Sequence, residues 1–351
     1  MKAPILLTAM AALALPAPAL AAVDLANGLN AMRELNLITL GNRNGSSEVE
    51  GKAYIGGNLT GSIQVTQKTN SNGHGYVSGS YADLTVGGNA QNWSAGSAVT
   101  GASTLVRIGG NSTGNATMNL GGGKTGHVDV GGTFNASGFN PNPSKTVSTN
   151  VVGLAGSIQS TTDQLAADLT GLSQALKALP GTAITNMNTA LTFGTGGYAV
   201  FTMTQDQFNA PNVNFDTLFA NFAANTDETI IINLLGTTFN ELGNLNTTAI
   251  NQKVIWNFAD ATSISLKGWH GAILAPNATL SNSSSIEGSV VAKIFNQGGE
   301  VHLGTYDGTS KFLPPPPPAV PEPATWAMML AGFGAVGAMI RRRRRLERLA
   351  A

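Results

Sequence analysis

The sequence predicts a mainly β protein: a parallel β-helix, or solenoid, with a flanking α-helix and a C-terminal transmembrane helix. Three observations lead to this fold class. A short apolar strand pattern that ends in Gly-Gly recurs four times between residues 53 and 133, a leucine-rich segment has helical spacing, and an uncharged run near the C-terminus ends in arginines. A strand that recurs every 20 to 50 residues is typical of stacked coils, which bury their inner faces only against their neighbours.

The N-terminal segment 1–22 has the composition of a secretory signal peptide. Lys2 supplies positive charge, residues 4–14 are apolar apart from Thr8, and Ala19-Leu20-Ala21 is a small-x-small cleavage site. The apolar run is too short to span a bilayer stably, although an uncut N-terminal anchor is the alternative. We therefore predict export through the Sec translocon and removal of residues 1–22 by signal peptidase.

Residues 23–311 form the predicted solenoid domain. Its repeat reads apolar, variable, apolar, Gly, Gly, polar, and the second glycines fall at positions 57, 88, 110 and 132, so the last three are evenly spaced. Because alternate side chains of a strand share a face, the apolar positions should be buried and the middle positions should point the other way. The glycines should turn the chain, since glycine tolerates positive φ. The units are 53–58, 84–89, 106–111 and 128–133, with Tyr54, Thr85, Arg107 and Asp129 in the middle positions.

An ordinary β-sandwich is the alternative architecture, but it does not require Gly-Gly at a constant spacing. Helix interrupts the strands at residues 25–37 and 161–179, where apolar residues recur at helical intervals. The leucine stripe of the second helix needs a partner, so we expect this helix along the flank of the solenoid. Apolar strand segments resume between residues 229 and 293 and predict a second set of coils.

Several of these segments resemble the choice-of-anchor A family. The resemblance is carried by residues 37–42, by residues 48–58, and by the run 254–290 with its Ala275-Pro276-Asn277-Ala278 motif, and it covers nearly all of residues 24 to 311. That family joins one extracellular domain to different anchoring tails in Gram-negative and Gram-positive bacteria. The resemblance implies an adhesive or surface-structural domain.

The C-terminal residues form a tail of several parts. A linker over 312–320 contains five consecutive prolines, which form a semi-rigid polyproline II spacer. The uncharged run 324–340 would rise about 25 Å as a helix, close to the thinnest bilayer core. The arginine cluster that follows should stay in the cytoplasm, with residues 346–351 as a cytoplasmic tail. This membrane stop consists of Arg341, Arg342, Arg343, Arg344 and Arg345.

Residues 321–345 resemble a PEP-CTERM sorting signal. Pro321, Glu322 and Pro323 match the motif, and a short transmembrane helix and an arginine cluster follow in the family's order. The resemblance implies that an exosortase recognises and removes the tail in a Gram-negative host. The precursor would be held transiently in the inner membrane, and the mature protein would reach the cell surface or the medium. A permanent C-terminal anchor is the alternative.

Composition excludes several function classes. The chain has no cysteine, which rules out disulfides and thiolate metal sites. Without Lys2, the six tail arginines, Glu322 and Glu347, the mature domain keeps 12 basic and 17 acidic residues, a net charge near −5. A mildly acidic surface argues against nucleic acid as a partner. Its Asn-, Thr-, Ser- and Gly-rich polarity suits neutral hydrogen bonding to extracellular polysaccharide or a cell-surface glycan.

The sequence predicts no catalytic, metal or cofactor site. The four histidines form no HxH or HxxxH pair, and no GxSxG elbow or phosphate-binding loop is present. Glu48 and Glu50 should share a strand face, as a glycosidase pair could, but a solvated strand edge explains them more simply. We therefore expect a non-enzymatic structural or adhesive protein of the cell surface or biofilm, with an unidentified ligand. The alternatives are a polysaccharide-active β-helix lyase or hydrolase and, less favoured, an ice-binding protein.

Overall fold

The computed structural model divides into two units, Met1–Leu313 and Pro314–Ala351. It describes residues 22–71, 73–96, 103–193, 196–222, 229–243 and 245–314. In the tail it describes residues 328–330, 332–334, 336–337 and 339–341. The first unit holds all the strands of the described chain, and it extends to Leu313, slightly past the expected end of the domain.

The first half of the domain consists of a short helix and thirteen strands within the described residues. They are α1 (Leu25–Glu34), β1 (Leu35–Thr39), β2 (Arg43–Val49), β3 (Lys52–Ile55), β4 (Leu59–Val65), β5 (Asn70–Ser71), β6 (His74–Gly75), β7 (Leu84–Val86), β8 (Ala90–Gly96), β9 (Thr104–Ile108), β10 (Ser112–Asn119), β11 (Gly126–Val130), β12 (Phe134–Ser137) and β13 (Lys145–Ser148). The expected first helix ends early, because the backbone becomes extended at Leu35 and β1 pairs with β3.

The second half starts with the long helix α2. Its elements are α2 (Leu154–Ala178), β14 (Thr182–Ala183), β15 (Tyr198–Thr204), α3 (Gln205–Phe208), β16 (Thr229–Leu235), β17 (Thr238–Asn240), β18 (Val254–Asn257), β19 (Ser263–Leu266), β20 (Trp269–His270), β21 (Ala272–Asn282), β22 (Ile286–Glu287), β23 (Val290–Gln297) and β24 (Val301–His302), with 3₁₀ turns at Phe215–Phe219 and Thr248–Ile250. Helix α2 begins at Leu154, well before the expected start at 161, and its end is close to the expected one at 179.

The strands form a parallel β-helix-like stack, as the sequence predicts. It has two long faces and a shorter third face, which consists of β20, β22, β24 and the C-terminal ends of β2, β4, β8 and β10. The covered face has the order β14-β15-β16-β18-β21-β23-β1-β3-β7-β9-β11-β13. The open face has the order β17-β19-β21-β23-β2-β4-β8-β10-β12. Strands β21 and β23 are long enough to contribute to both faces. Among the described strands, only the small β5–β6 hairpin in the loop after β4 is paired antiparallel as a sheet of its own.

The coils are not stacked in chain order. Strand β1 lies between β3, which follows it in the sequence, and β23, which comes from near the other end of the domain sequence. The first half therefore builds outward from β1, and α2 then carries the chain back along the covered face. The second half stacks inward until β23 meets β1. We call this junction of β1 and β2 with β23 and β24 the seam.

Helix α2 lies along the covered face, as expected, and it bridges the seam. The Tyr54 hydroxyl of β3 donates to the Ile158 carbonyl near the helix start at 3.0 Å. Near the helix end, Asn257 Nδ2 of β18 donates to the Ser173 carbonyl at 2.8 Å, and Asn233 of β16 donates to the Leu176 carbonyl at 2.9 Å. At 25 residues the helix rises about 37 Å, roughly eight strand spacings.

The covered face confirms the two sides of the repeat and adds a second layer of burial. The apolar first and third positions are buried inside the solenoid, as predicted. The middle residues point the other way, but Tyr54 is 2% and Thr85 is 5% exposed because they lie near α2. A second apolar cluster fills the space between this face and the helices, so the solenoid has a core inside its coils and another outside them.

The Gly-Gly pairs are explained by close approach between coils, not by positive φ, which they do not adopt. A Cβ on Gly109 would lie 2.2 Å from the Gly87 carbonyl oxygen of the preceding coil. A Cβ on Gly110 would lie 2.5 Å from Asn89 Oδ1. That amide oxygen is occupied because it accepts the backbone N–H of Asn111 at 2.8 Å.

The same contact recurs from coil to coil and forms an asparagine ladder. In each contact the side-chain oxygen of an asparagine accepts the backbone N–H of the corresponding residue in the next coil, at 2.8 Å. The residues of the ladder, in order, are Asn42, Asn58, Asn89, Asn111 and Thr133. The ladder satisfies backbone donors at a turn that no strand pairing could satisfy. Together with the close approach at the glycines, this ladder explains why the repeat reads Gly-Gly followed by a polar residue.

The expected C-terminal transmembrane helix is not supported. Among the described residues no helix is long and apolar enough to cross a membrane. The described residues of the expected span 324–340 are helical, and residues 324–327, 331, 335 and 338 lie outside the description. Their apolar side chains are exposed, with Met328 at 76% and Phe333 at 70%.

Candidate functional site

The sorting residues of the tail lie mostly outside the described structure. Pro321, Glu322 and Pro323 belong to this group, as do Arg342, Arg343, Arg344 and Arg345. Arg341 is described, and it is an exposed helical residue. Within the described residues, the candidate site is therefore on the solenoid domain.

A row of neutral polar side chains crosses the whole open face. One outward position repeats along the face from β17 at one end to β12 at the other. Between β4 and β8, where the register shifts after Leu59, this position directly follows the paired residues Leu59 and Ala90. Apart from two partly buried members, Ser281 and Asn44, its side chains are exposed. The row is Asn240, Ser265, Ser281, Asn296, Asn44, Thr60, Gln91, Thr113 and Asn135.

The open-face row has the chemistry of a surface that binds hydroxylated polymers. Nine strands about 4.8 Å apart make the row about 40 Å long. None of its members carries a charge, and each offers an amide or hydroxyl that can donate and accept hydrogen bonds. Only Thr60 and Thr113 are threonines, so the row lacks the regular threonine ladder that a flat ice-binding face would need. A long neutral polymer could contact many coils at once.

The position before each member of this row points into the core. Phe239, Ile264, Leu280 and Phe295 pair with one another across β17, β19, β21 and β23. All four are at most 1% exposed. Because alternate strand residues point to opposite sides, burying these side chains fixes the outward direction of the polar ones.

The two carboxylates that could have formed a glycosidase pair are not placed as one. Glu48 is an outward residue of β2, whereas Glu50 lies beyond the strand end and is fully buried. Glu50 accepts hydrogen bonds from Lys68 Nζ at 2.6 Å, from Ser71 Oγ at 3.0 Å and from the Leu303 N–H at 2.9 Å. The expectation of a solvated strand edge is therefore wrong for Glu50, which has a structural role at the seam.

The seam also contains a cluster that sequence reasoning did not find. Glu50, Glu300 and His302 each place one possible ligand atom within 4.8 Å of the others, an arrangement that could hold a metal ion. Lys68 already pairs with Glu50, and His302 contacts carboxylates through both ring nitrogens. Its Nδ1 contacts Glu287 Oε1, and its Nε2 lies 2.9 Å from Glu300 Oε2.

These contacts determine the charges in the cluster. The hydrogen bond to Glu287 is the main reason that the pKa of His302 is raised to about 9, so the imidazole is protonated at neutral pH. Burial opposes ionisation of Glu50, but the bonds from Lys68, Leu303 and Ser71 outweigh it and hold its pKa below the usual value. The cluster is an ion network that joins the first coil to the last. Its members come from opposite ends of the domain sequence, so no local pattern could have indicated it.

Glu241, directly after β17, is a buried carboxyl group whose ionisation should lower the stability of the domain. Burial raises its pKa to about 7, and the Lys267 N–H, 2.6 Å from Oε2, only partly offsets this. The folded state then binds the proton more tightly than the unfolded state, so stability should fall as pH rises from 4.5 to 7. Glu241→Gln should remove that fall and raise the free energy of unfolding at pH 8 by about 1–3 kcal/mol, a range that includes partial screening by solvent.

Urea unfolding of both proteins at pH 4.5 and pH 8 measures this effect. Asp163→Asn, on the exposed side of α2, is the control and should leave the pH dependence as in the wild type. Equal pH dependence for wild type and Glu241→Gln would contradict the assigned pKa.

Two matches to family models place the chain among known proteins. Residues 319–345 match the PEP-CTERM protein-sorting motif, which covers the tail segment predicted from its three-part order. No curated protein and no solved structure matches the chain. Residues 28–303, well over half of the chain, match the model described as Putative Ice-binding-like adhesive domain. Such a domain joined to the sorting motif indicates an exported surface protein. The chain therefore belongs to this adhesive-domain family.

Proposed function

We propose that this protein is a non-enzymatic adhesin of the cell surface or biofilm matrix, whose open face binds extracellular polysaccharide or a cell-surface glycan. The open-face row carries the proposal, because its nine neutral polar positions run the length of the solenoid without a charge. Weak hydrogen bonds to single sugar units add up when one polymer contacts many coils. A lyase or hydrolase is less well supported, because buried Glu50 cannot flank a sugar together with Glu48.

The proposal includes a route to the surface. Signal peptidase would remove residues 1–22 after export through the Sec translocon, and the tail would hold the precursor in the inner membrane. An exosortase would then cut near Pro321-Glu322-Pro323. The exposed apolar side chains on the described helical residues of the tail support a membrane partner, since water is a poor environment for them.

Charges placed in the open-face row should abolish glycan binding. We expect Thr60→Glu with Thr113→Glu to lower retention on the host's extracellular polysaccharide at least tenfold, because each carboxylate disrupts the neutral hydrogen-bonding surface. The measurement is affinity electrophoresis in gels containing the polysaccharide. Ser157→Glu with Ser160→Glu is the matched control, because these exposed residues lie on α2 and add the same charge elsewhere.

Two outcomes would count against the proposal. Equal retention of both double variants would show that the open face is not the binding surface. Release of new reducing ends or unsaturated sugars by the wild type, lost in Glu48→Gln, would favour the enzyme instead.

A further inference from the structure

A cavity of about 270 Å³ opens between the covered face and the N-terminal half of α2. It is separate from the open-face row, which lies on the other long face of the solenoid. Its lining combines one cation, two tyrosine rings and several hydroxyl groups. The lining includes Tyr54, Ser80, Tyr81, Thr85, Arg107 and Thr161.

Arg107 is the cation of the cavity, and within the described chain it has no partner for its charge. It is the outward middle residue of β9 and is partly exposed. Among the described residues its guanidinium makes no ion pair and no hydrogen bond. Asp129 lies beside it on β11, but that carboxylate contacts His127 Nε2 at 3.0 Å. A guanidinium left without a partner in a concave site is suited to an anionic ligand.

The tyrosine wall is held in place before any ligand arrives. The rings of Tyr54 and Tyr81 meet edge to face with centroids 6.1 Å apart. The Tyr54 hydroxyl is already bonded to the Ile158 carbonyl and lies 2.9 Å from Thr162 Oγ1. Glu34 fixes the backbone of the wall, because its carboxylate accepts the N–H groups of Ser80 and Tyr81 at 3.0 and 2.7 Å. The partly buried ring of Tyr81 is thus an apolar surface on a fixed backbone.

We propose that this cavity binds a carboxylated sugar, such as a uronic acid unit of an acidic polysaccharide. The planar fork of Arg107 matches a carboxylate in bidentate geometry, which a neutral sugar cannot exploit. The ring of Tyr81 can contact the apolar C–H face of a pyranose, and the hydroxyls of Ser80, Thr85 and Thr161 can bond to sugar hydroxyls. The inference rests on the proposed glycan-binding function and names a second, acidic ligand class at a separate site.

Calorimetric titration of the purified exported protein with trigalacturonate and with its methyl ester tests the proposal. The wild type should bind the acid and bind the ester at least tenfold more weakly, since hydrogen bonds to a charged group are stronger than those between neutral groups. Arg107→Gln should weaken acid binding at least tenfold, and Arg107→Lys should restore it only in part. Lys293→Gln removes an exposed cation outside the cavity and should change the affinity less than twofold.

The outcomes separate this site from the open face. Undiminished acid binding by Arg107→Gln, or equal binding of acid and ester, overturns the cavity proposal. If the protein binds neutral polysaccharide but no uronate, the cavity proposal fails and the proposed function stands. If it binds no glycan of either kind, both fail.

Discussion

Ile108→Asp should leave the domain unfolded or aggregated at 25 °C. Ile108 is an inward residue of β9, fully buried, and its partners in register are Val86 on β7 and Val130 on β11. A carboxylate there would have no polar partner, so it must either stay charged in the core or fold only when protonated. We expect a loss above about 4 kcal/mol, a large part of the stability of an ordinary domain.

Arg107→Gln, one residue earlier, is the matched control for this prediction. Its side chain points to the cavity beside α2, so the substitution should change the free energy of unfolding by less than about 1 kcal/mol. Circular dichroism and urea unfolding of both variants give the answer. A native spectrum and an unchanged unfolding midpoint for Ile108→Asp would contradict the assignment of β9 to the inner core.

The repeat allowed the first half of the fold to be predicted because each coil encodes its own constraints. Two apolar positions point inward, and Gly-Gly followed by a polar residue is what an asparagine ladder requires. The sequence pattern located the strands correctly, but it misassigned the reason for the glycines. Positive φ is a property of one residue, whereas the close approach of Gly109 to the Gly87 carbonyl depends on the neighbouring coil.

The order of the coils could not be predicted, because nothing local marks the seam. Strand β1 pairs with β3 and with β23, and only the folded chain brings the last of these close. The buried Arg43 illustrates the difficulty. It is fully buried, and it donates to Gln297 Oε1 at 2.6 Å and to the Gly45 and Ser62 carbonyls at 2.7 Å. An arginine in a strand would ordinarily be assigned to the surface.

The candidate sites also differ in whether the sequence alone could reveal them. The sorting tail is a contiguous segment, so its resemblance to the sorting motif matched over 319–345 could be recognised from the sequence. The open-face row could not be found, because its members come from strands outside the Gly-Gly units and register shifts such as the one between Leu59 and Ile63 break the spacing. The Arg107 cavity needs α2 above β9, a contact between segments that are far apart in the sequence.

We expect the exported protein to lose its C-terminal tail by cleavage. Arginines are costly to move across a bilayer, so the cluster from Arg341 should stop translocation and keep Pro321-Glu322-Pro323 at the outer surface. The proline linker should keep the folded domain clear of the membrane, which gives a membrane protease access to the motif. Mature protein should therefore end near the motif and lack residues 326–351.

Pro321→Ala with Glu322→Ala should abolish this cleavage without blocking export, because the signal peptide and the arginine stop are unchanged. The uncut chain should then accumulate in the inner membrane. Pro315→Ala with Pro316→Ala is the matched control, since it alters the linker but keeps the motif, and it should be processed like the wild type. Mass spectrometry of the C-terminal peptide in membrane and extracellular fractions distinguishes the forms. If wild-type protein at the surface still carries residues 326–351, the tail is a permanent anchor, and the adhesive domain stays attached to the membrane that exported it.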